Sequence, residues 1–319
     1  MVLVYTLFII GFVILIKGAD MLVAGSSSIA KKLNISDLVI GLTIVAFGTS
    51  TPELFVNIFA AAQGNTELAI GNILGSNIAN ILLILGVSAI IYPLTVQKTT
   101  IWKEIPFSLL AALAIGILAN DQLIDRKESS ELSRSDGLIL LGFFIIFLYY
   151  ITGMAKRSKT AVDEEIKEMS NAKAIIFILI GLAGLAFGGQ WIVNGAVQIA
   201  QQFNVSQSLI GLTIVAIGTS LPELATSAVA AYRRHTDIAI GNAVGSNIFN
   251  IFWVLGLNAV ISPLPFRPAA NADILMTIIA SIMLFGAVFT GKIHRLNRYE
   301  GAFFVLVYIG YLVFLINRG

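Results

Sequence analysis

Long apolar stretches alternate with short polar ones along the whole chain, and the apolar stretches are too long for strands. Most run for about 20 residues, the length that a helix needs to cross the hydrocarbon core of a bilayer. The pattern predicts ten membrane-spanning helices, five in each half of the chain. The predicted spans are 2–27, 37–62, 68–91, 101–119, 136–154, 173–199, 207–232, 238–261, 271–291 and 299–317. The expected fold class is therefore an all-α membrane protein.

One segment of the chain occurs twice. Residues 40–94 return as residues 210–264, displaced by 170 positions without an insertion, with about 32 identities over 55 positions. A weaker likeness extends into the first span of each half, where three glycines align with three others: Gly11, Gly18 and Gly25 with Gly181, Gly188 and Gly195. The sequence thus predicts two five-helix repeats, 1–155 and 173–319, joined by a charged cytoplasmic linker at 156–172.

Lys and Arg are distributed unevenly between the two sides of the predicted bundle. Fourteen lie on the side that includes the linker and five on the other, with Lys17 inside a span. The positive-inside rule then places the linker in the cytoplasm and both termini outside the cell membrane. Because each half has an odd number of spans, the two halves enter the membrane in opposite senses. Inverted repeats of this kind are typical of secondary transporters.

Composition agrees with a membrane protein and excludes several other classes. Hydrophobic residues make up 57% of the chain, charged residues only 12%, and the mean hydropathy is +0.89. A soluble protein of 319 residues would need more polar surface than this. The net charge of +2 gives no basic surface for nucleic acid, and the absence of cysteine excludes thiolate metal ligands and disulfides.

Each copy of the repeated segment carries one carboxylate in mid-span, Glu53 or Glu223. Such a charge costs about 2.5 to 3.5 kcal/mol to insert, so it should have a partner. No Lys or Arg lies at comparable depth in either motif, and the missing counter-charge is most simply a bound cation, or a proton in the empty site. Lys17 and Asp20, near the cytoplasmic end of the first span, are instead interpreted as an interfacial ion pair.

The carboxylates follow a predicted break in the helix. Gly48 and Gly218 loosen the backbone, and Pro52 and Pro222 remove a donor, which frees carbonyl oxygens in the preceding turn. Proline is well suited to the first turn of the half-helix that follows. We therefore expect discontinuous helices at the site that contains the glutamates.

A second motif adds neutral oxygen atoms. Ser76 and Asn80 are four residues apart, as are Ser246 and Asn250, so each pair lies on one face of a helix. Taken singly, such residues are compatible with close helix packing. Together with two carboxylates and no Cys or His they form a set of hard ligands suited to Ca²⁺ or Na⁺.

The two motifs resemble the alpha-repeats of the cation/Ca²⁺ antiporter superfamily, in particular its Na⁺/Ca²⁺ exchanger branch and prokaryotic members. The matching residues are GTSTPE at 48–53, GTSLPE at 218–223, GSNIAN at 75–80 and GSNIFN at 245–250. The resemblance covers essentially the whole chain. It implies a core of spans 2, 3, 7 and 8 around four cation sites near the membrane midplane, with spans 1 and 6 sliding across that core.

The resemblance also implies roles for individual residues. Ca²⁺ and Na⁺ would share the carboxylates of Glu53 and Glu223, and Thr49 and Thr219 would offer backbone carbonyls to Ca²⁺. The other implied ligands are Ser50, Ser76, Ser220, Ser246 and the carbonyls of Ala46 and Ala216 for Na⁺, with Asn80 and Asn250 lining the central site. Relatives with similar motifs often carry Asp at position 250, and Asn there makes K⁺ dependence less expected.

The expected function is antiport of Na⁺ against Ca²⁺ across the plasma membrane by alternating access. We expect a monomer in the lipid bilayer that needs no cofactor, with Ca²⁺ and Na⁺ as the transported ions. A Ca²⁺/H⁺ antiporter on the same fold, in which the glutamates carry protons, stays open, and a cation channel is a more distant alternative. The sequence shows no nucleophile with a base and no His at depth, so we expect no enzyme.

Overall fold

The structure is a computed structural model that describes residues 2–62, 66–157, 169–202, 216–290 and 294–318. We label its membrane helices α1 to α10. The first half contains α1 (Val2–Leu33), α2 (Asp37–Ile40, the π-helical Gly41–Val45, Ala46–Thr49 and then Thr51–Ala62), α3 (Thr66–Ala79, the π-helical Asn80–Ile84 and Leu85–Ile91), α4 (the π-helical Thr100–Glu104 and Ile105–Leu118) and α5 (Arg134–Arg157). The second half contains α6 (Asn171–Gln202), α7 (Ala216–Thr219 and Leu221–Tyr232), α8 (Thr236–Ile248, the π-helical Phe249–Leu255 and Gly256–Ile261), α9 (Asn271–Ala287) and α10 (Arg298–Arg318).

Short elements lie between these helices. They are the helix Asp121–Ile124, the 3₁₀ turn Pro268–Ala270, and the strands β1 (Leu94–Thr95), β2 (Ser130–Leu132), β3 (Leu264–Phe266) and β4 (Arg295–Leu296). In the described part of the chain, nine helices are long and apolar enough to cross a membrane. The seventh predicted span, 207–232, is described only from Ala216, and its first part lies outside the described residues, as does most of the predicted linker. The prediction of an all-α membrane fold is confirmed.

Two small antiparallel sheets connect the halves of the protein. Leu94 of β1 pairs with Leu296 of β4, and Leu132 of β2 pairs with Leu264 of β3. Each sheet therefore takes one strand from each repeat. β1 follows the third helix of the first repeat, and β3 follows the third helix of the second. Because the two repeats are inverted, the two sheets occupy equivalent places at opposite ends of the bundle. The segment between α4 and α5 is thus partly ordered by the pairing of β2 with β3.

The helices α3 and α8 form the centre of the bundle. In each of them, 78% of the most apolar window is buried inside the protein, against 22% in α5 and α10. The low values belong to helices whose outer faces are apolar and meet lipid. The repeated segment therefore lies at the core, and the last helix of each repeat lies at the periphery.

The helices α1 and α6 cross at the aligned glycines. A Cβ atom added at Gly18 would lie 2.8 Å from the carbonyl oxygen of Gly181, and one added at Gly188 would lie 2.8 Å from that of Gly11. Only residues without a side chain allow two backbones to come this close. The repeated glycines are explained by this contact between the first helices of the two repeats.

Two details of α1 differ from the sequence interpretation. The helix continues past residue 27 to Leu33 and stops where Asn34 takes a left-handed conformation with φ 51°. The predicted pairing of Lys17 with Asp20 is wrong, because the Asp20 carboxylate forms its ion pair with Arg233. The spacing of three residues within one helix predicted that Lys17 lies near Asp20, but Arg233 of the other repeat forms the ion pair with Asp20.

Candidate ion-binding site

The predicted breaks in α2 and α7 are present. Ser50, with φ −83° and ψ 3°, separates Ala46–Thr49 from Thr51–Ala62, and Ser220, with φ −88° and ψ 3°, takes the same position in α7. A proline is the second residue of the helix that follows each break. Because proline has no N–H, the carbonyl oxygen four residues earlier lacks its helical partner. The glutamates follow directly in the first turn of each new helix.

Glu53 and Glu223 are each 1% exposed and interact with each other electrostatically. The Ser50 hydroxyl donates to Glu223 Oε1 at 3.0 Å, so the two repeats meet at this contact. Neither oxygen of Glu53 and only one oxygen of Glu223 has a hydrogen-bond partner among the described residues. No ion pair joins Lys or Arg to either carboxylate among the described residues. The site therefore contains two buried acidic groups without basic partners.

The threonines next to the breaks contact asparagines of the opposite repeat. Thr49 Oγ1 lies 3.0 Å from Val45 O and 3.0 Å from Asn242 Oδ1. Its counterpart Thr219 donates to Asn72 Oδ1 at 3.1 Å. The hydrogens of these hydroxyls are thus engaged with protein groups of the same or the opposite repeat.

The backbone at each glutamate is held by a side-chain amide. Asn57 Nδ2 donates to Glu53 O at 2.7 Å, one turn away on the same helix. Glu223 O instead accepts from Asn242 Nδ2 at 3.2 Å, and the same amide donates to Ser227 Oγ at 2.9 Å. The two repeats fix equivalent carbonyls by different residues, because position 57 is Asn and position 227 is Ser.

The predicted serines differ in their surroundings. Ser220 donates to Ser76 Oγ at 3.2 Å, whereas Ser246 Oγ is buried with no partner among the described residues. The carbonyl of Ala46 accepts the backbone N–H of Ser50 at 3.0 Å, so it is not freed by the break, and only its second lone pair could face an ion. The backbone of Ala216 begins the described part of α7.

Asn80 and Asn250 lie where α3 and α8 become π-helical, a local geometry that often occurs at functional sites. Both side chains are fully buried, and both Oδ1 atoms have no partner among the described residues. Among the twelve predicted residues, Ser50 contacts Glu223 and Ser220 contacts Ser76. The structure therefore brings predicted residues of the two repeats together.

The oxygen atoms of this site fit a hard cation. Those without a hydrogen-bond partner in the described chain are both carboxylate oxygens of Glu53, Glu223 Oε2, Ser246 Oγ, Asn80 Oδ1 and Asn250 Oδ1. Leaving a buried polar atom unpaired costs about 1 to 3 kcal/mol, and more if it is charged. Carboxylate, hydroxyl and amide oxygens are the ligands that Ca²⁺ and Na⁺ prefer. A bound cation would satisfy those of these atoms that it contacts.

The sequence interpretation missed four asparagines that support the predicted ligands. Asn72 and Asn242 contact Thr219 and Thr49, respectively, and Asn77 and Asn247 accept hydrogen bonds from the amides of Asn250 and Asn80, respectively. The signal was present, since all four are amides inside spans and each pair is related by 170 positions. An amide in an apolar helix needs partners, and its exact repetition in the other half indicates a shared role.

A pair of buried, unpaired carboxylates contributed by two inverted repeats defines a secondary cation transporter rather than an enzyme. The family model described as "Sodium/calcium exchanger protein" matches residues 3–153 and 173–317, one match in each half. The chain belongs to this family.

Individual relatives agree over nearly the whole chain. A putative antiporter, CaxA of Alkalimonas amylolytica, is 41% identical over 99% of both chains. The sodium/calcium exchanger MaX1 of Methanosarcina acetivorans is 31% identical over 98% of both. The solved structure of the sodium-calcium exchanger NCX_Mj soaked with 10 mM Na⁺ and zero Ca²⁺ matches with a TM-score of 0.82 and 34% identity, covering 98% of this chain and 99% of that one.

Proposed function

We propose that this protein is an antiporter that exchanges Na⁺ for Ca²⁺ across the plasma membrane by alternating access. The observation that carries the proposal is the buried pair Glu53 and Glu223. Three of their four carboxylate oxygens have no hydrogen-bond partner among the described residues, and neither carboxylate pairs there with Lys or Arg. One Ca²⁺ or two Na⁺ would balance two carboxylates. The sodium/calcium exchangers among its relatives support this choice of ions.

The proposed ligands follow from the oxygen atoms at the site. Glu53 and Glu223 would bind either ion, with the backbone carbonyls of Thr49 and Thr219 completing a Ca²⁺ site. Oxygens from the two helix breaks and from α3 and α8 would bind Na⁺ toward the two membrane faces: Ser50, Ser76, Ser220, Ser246 and the carbonyls of Ala46 and Ala216. Asn80 and Asn250 would line the central position with their unpartnered Oδ1 atoms.

Exchange would be coupled by competition for the two glutamates. An empty site in which both carboxylates are ionised holds two uncompensated buried charges, and moving them through a closed intermediate is unfavourable. Either Ca²⁺ or Na⁺ neutralises the pair and permits the transition, so an ion must be carried in each direction. The coupling then needs no ATP, because each ion changes the relative stability of the two states by its own binding.

The halves 1–155 and 173–319 would be the two repeats, joined by the linker 156–172. Their repeated segments 40–94 and 210–264 would form the ion-binding core, and spans 1 and 6 would slide across it. The distribution of Lys and Arg supports a cytoplasmic linker with both termini outside. Both glutamates of the site come from one chain, which supports function as a monomer.

A second candidate is Ca²⁺/H⁺ antiport with the two glutamates as proton carriers. It is favoured by the similarity to the Ca²⁺/H⁺ antiporter ChaA of Bacillus subtilis, which is 24% identical over 84% of this chain. The sodium/calcium exchanger MaX1 is more similar, at 31%. Proton carriage needs no oxygens beyond the carboxylates, whereas the Ser246 hydroxyl, which has no partner in the described chain, is an oxygen ligand suited to Na⁺.

Reconstituted vesicles test the choice of counter-ion. Vesicles loaded with Na⁺ and diluted into Na⁺-free medium with Ca²⁺ outside should accumulate Ca²⁺ while an ionophore collapses the proton gradient. Uptake that requires a pH gradient and ignores Na⁺ would support the proton antiporter instead. A steady cation conductance without counter-transport would indicate a channel.

Matched variants test the site. Glu53→Gln and Glu223→Gln should abolish exchange. Glu104→Gln is the control, because Glu104 is also a fully buried glutamate in a membrane helix but accepts the Tyr150 hydroxyl away from the predicted ligands. If both site variants exchange ions at the wild-type rate, the ligand assignment is wrong.

A further inference from the structure

Four asparagines from the two repeats form a closed hydrogen-bond network at the centre of the bundle. They are Asn77 and Asn80 of α3 and Asn247 and Asn250 of α8, each at most 1% exposed. We infer that Asn77 and Asn247 are positioning residues that hold the Asn250 and Asn80 amides with their oxygen atoms directed to the ion. This inference rests on the proposed function, which assigns Asn80 and Asn250 to the central site.

The network is anchored on backbone carbonyls. Asn77 Nδ2 donates to Asn247 O at 3.1 Å, and Asn247 Nδ2 donates to Asn77 O at 3.3 Å. A carbonyl oxygen can only accept, so each of these contacts requires the NH₂ end of the amide. The orientation of Asn77 and Asn247 is therefore set by the opposite helix, and neither side chain can rotate by half a turn without losing a bond.

The orientation is passed to the ligand amides. With their nitrogens used, Asn77 and Asn247 present Oδ1 atoms, which accept from Asn250 Nδ2 at 3.0 Å and from Asn80 Nδ2 at 2.9 Å. An acceptor at this place requires the NH₂ end of Asn80 and Asn250 to point toward it. Their own Oδ1 atoms are consequently directed elsewhere, and both are without a partner in the described chain.

This arrangement matters because an amide has two unlike ends. Its oxygen binds a cation, whereas its NH₂ group carries partial positive charge and repels one. In an unsupported pocket the amide could turn and offer the wrong end. The reciprocal bonds between Asn77 and Asn247 prevent this, and they do so across the repeat boundary, so the ligand of each half is oriented by a residue of the other.

Alanine variants test the inference through coupling. Asn77→Ala should raise the KM for Ca²⁺ by about tenfold, the effect of one lost hydrogen bond of roughly 1.4 kcal/mol. Asn250→Ala should also raise the KM. In a protein that already carries Asn250→Ala, adding Asn77→Ala should raise the KM for Ca²⁺ further by less than about twofold, because no Asn250 amide is left to orient. Asn77→Ala combined with Asn80→Ala, which share no side-chain bond, should instead give the product of the single effects.

Asn258→Ala is the matched control, because Asn258 is a fully buried asparagine of α8 that donates to Val254 O at 2.8 Å within its own helix. It should destabilise the protein without changing the KM. The rise in melting temperature on adding Ca²⁺ to detergent-solubilised protein gives a second readout that does not depend on transport. That rise should shrink in Asn77→Ala and persist in Asn258→Ala.

The outcomes separate this inference from the proposed function. Wild-type vesicles without Na⁺-dependent Ca²⁺ uptake contradict the proposed function, while the Ca²⁺-dependent melting shift still tests the positioning role. An Asn77→Ala variant that lowers the ion-free melting temperature but keeps both the KM and the shift overturns the inference, as do independent effects of Asn77 and Asn250. If Asn77→Ala fails to fold, the pair Asn247→Ala and Asn80→Ala gives the same test, because Asn247 accepts from the Asn80 amide.

Discussion

Replacing Glu53 with glutamine should weaken cation binding and at the same time stabilise the ion-free protein. Glu53 is 1% exposed, neither of its oxygens has a partner in the described chain, and it lies within electrostatic reach of Glu223. Glutamine keeps the shape and removes the charge. The substitution therefore removes an ion ligand and also removes one of two like charges that oppose each other in the empty site.

The two effects have different magnitudes. Removing one of two opposite charges that pair in a buried site, here the Glu53 carboxylate opposite a bound Ca²⁺, costs about 3 to 5 kcal/mol. This corresponds to a loss of about 100- to 5,000-fold in Ca²⁺ affinity. In the ion-free protein, relief of an unpaired buried charge should contribute about 2 kcal/mol and raise the melting temperature by about 5 °C. Glu223→Gln should stabilise less, because the Ser50 hydroxyl already satisfies one oxygen of Glu223.

Thermal unfolding in detergent, with chelator and then with increasing Ca²⁺, measures both effects in one experiment. Wild type should melt lower than Glu53→Gln in chelator and higher at saturating Ca²⁺, so the two curves cross. Glu104→Gln, which keeps its contact with Tyr150, should show no crossing. A Glu53→Gln variant that melts below wild type without ions, or that responds to Ca²⁺ as wild type does, would refute the reasoning.

Two further predictions concern the scaffold. Gly18→Ala should destabilise the protein by about 1 to 3 kcal/mol, because the added Cβ would lie 2.8 Å from the Gly181 carbonyl oxygen. Gly310→Ala is the control and should not destabilise the protein, because the space that its Cβ would occupy is open. The melting temperatures of the two variants in detergent test this difference. Asp273→Asn should cost about 1 to 3 kcal/mol, because it weakens the charged hydrogen bonds of the buried Asp273 to Arg318, whose Nη2 lies 2.9 Å from Asp273 Oδ2 but which is itself solvated. Equal melting of wild type and Asp273→Asn would show that the pair contributes nothing.

Much of the fold could be predicted because the bilayer restricts what a chain can do. Apolar length alone indicates spans, and repetition at 170 positions relates the halves, so the inverted architecture needed no three-dimensional information. The glutamates could be identified for a similar reason, since an unpaired carboxylate in an apolar helix has few structural explanations. Helix ends were harder: α1 continues through the polar Ser26–Ser28 segment, whose side chains are buried, and stops only at Asn34.

The partners of neutral groups could not be predicted, because they depend on how the two repeats dock. Within one helix, Asn77 and Asn80 are simply amides on a shared face. That Asn77 accepts from Asn250, and Asn247 from Asn80, follows only from the register of α3 against α8. The π-helical segments that begin near these residues likewise left no recognisable signal in the sequence. The ligands could therefore be inferred from chemistry, but their supporting residues required the structure.

The symmetry of the site is broken in two distinct ways. Asn57 and Ser227 differ in sequence, so the unequal support of the two glutamate carbonyls is permanent. Ser50 and Ser220 are the same residue, yet Ser50 donates to Glu223 while Ser220 donates to Ser76 rather than to Glu53. A bundle that opens to one side at a time must hold its repeats in different conformations, and the pseudo-two-fold axis then relates one state to the other. The difference between Ser50 and Ser220 can reverse between the two states, because the residues are identical. The difference between Asn57 and Ser227 cannot. The serine contacts, and not the amide contacts of the glutamate backbone, therefore distinguish the two sides of the ion-binding site.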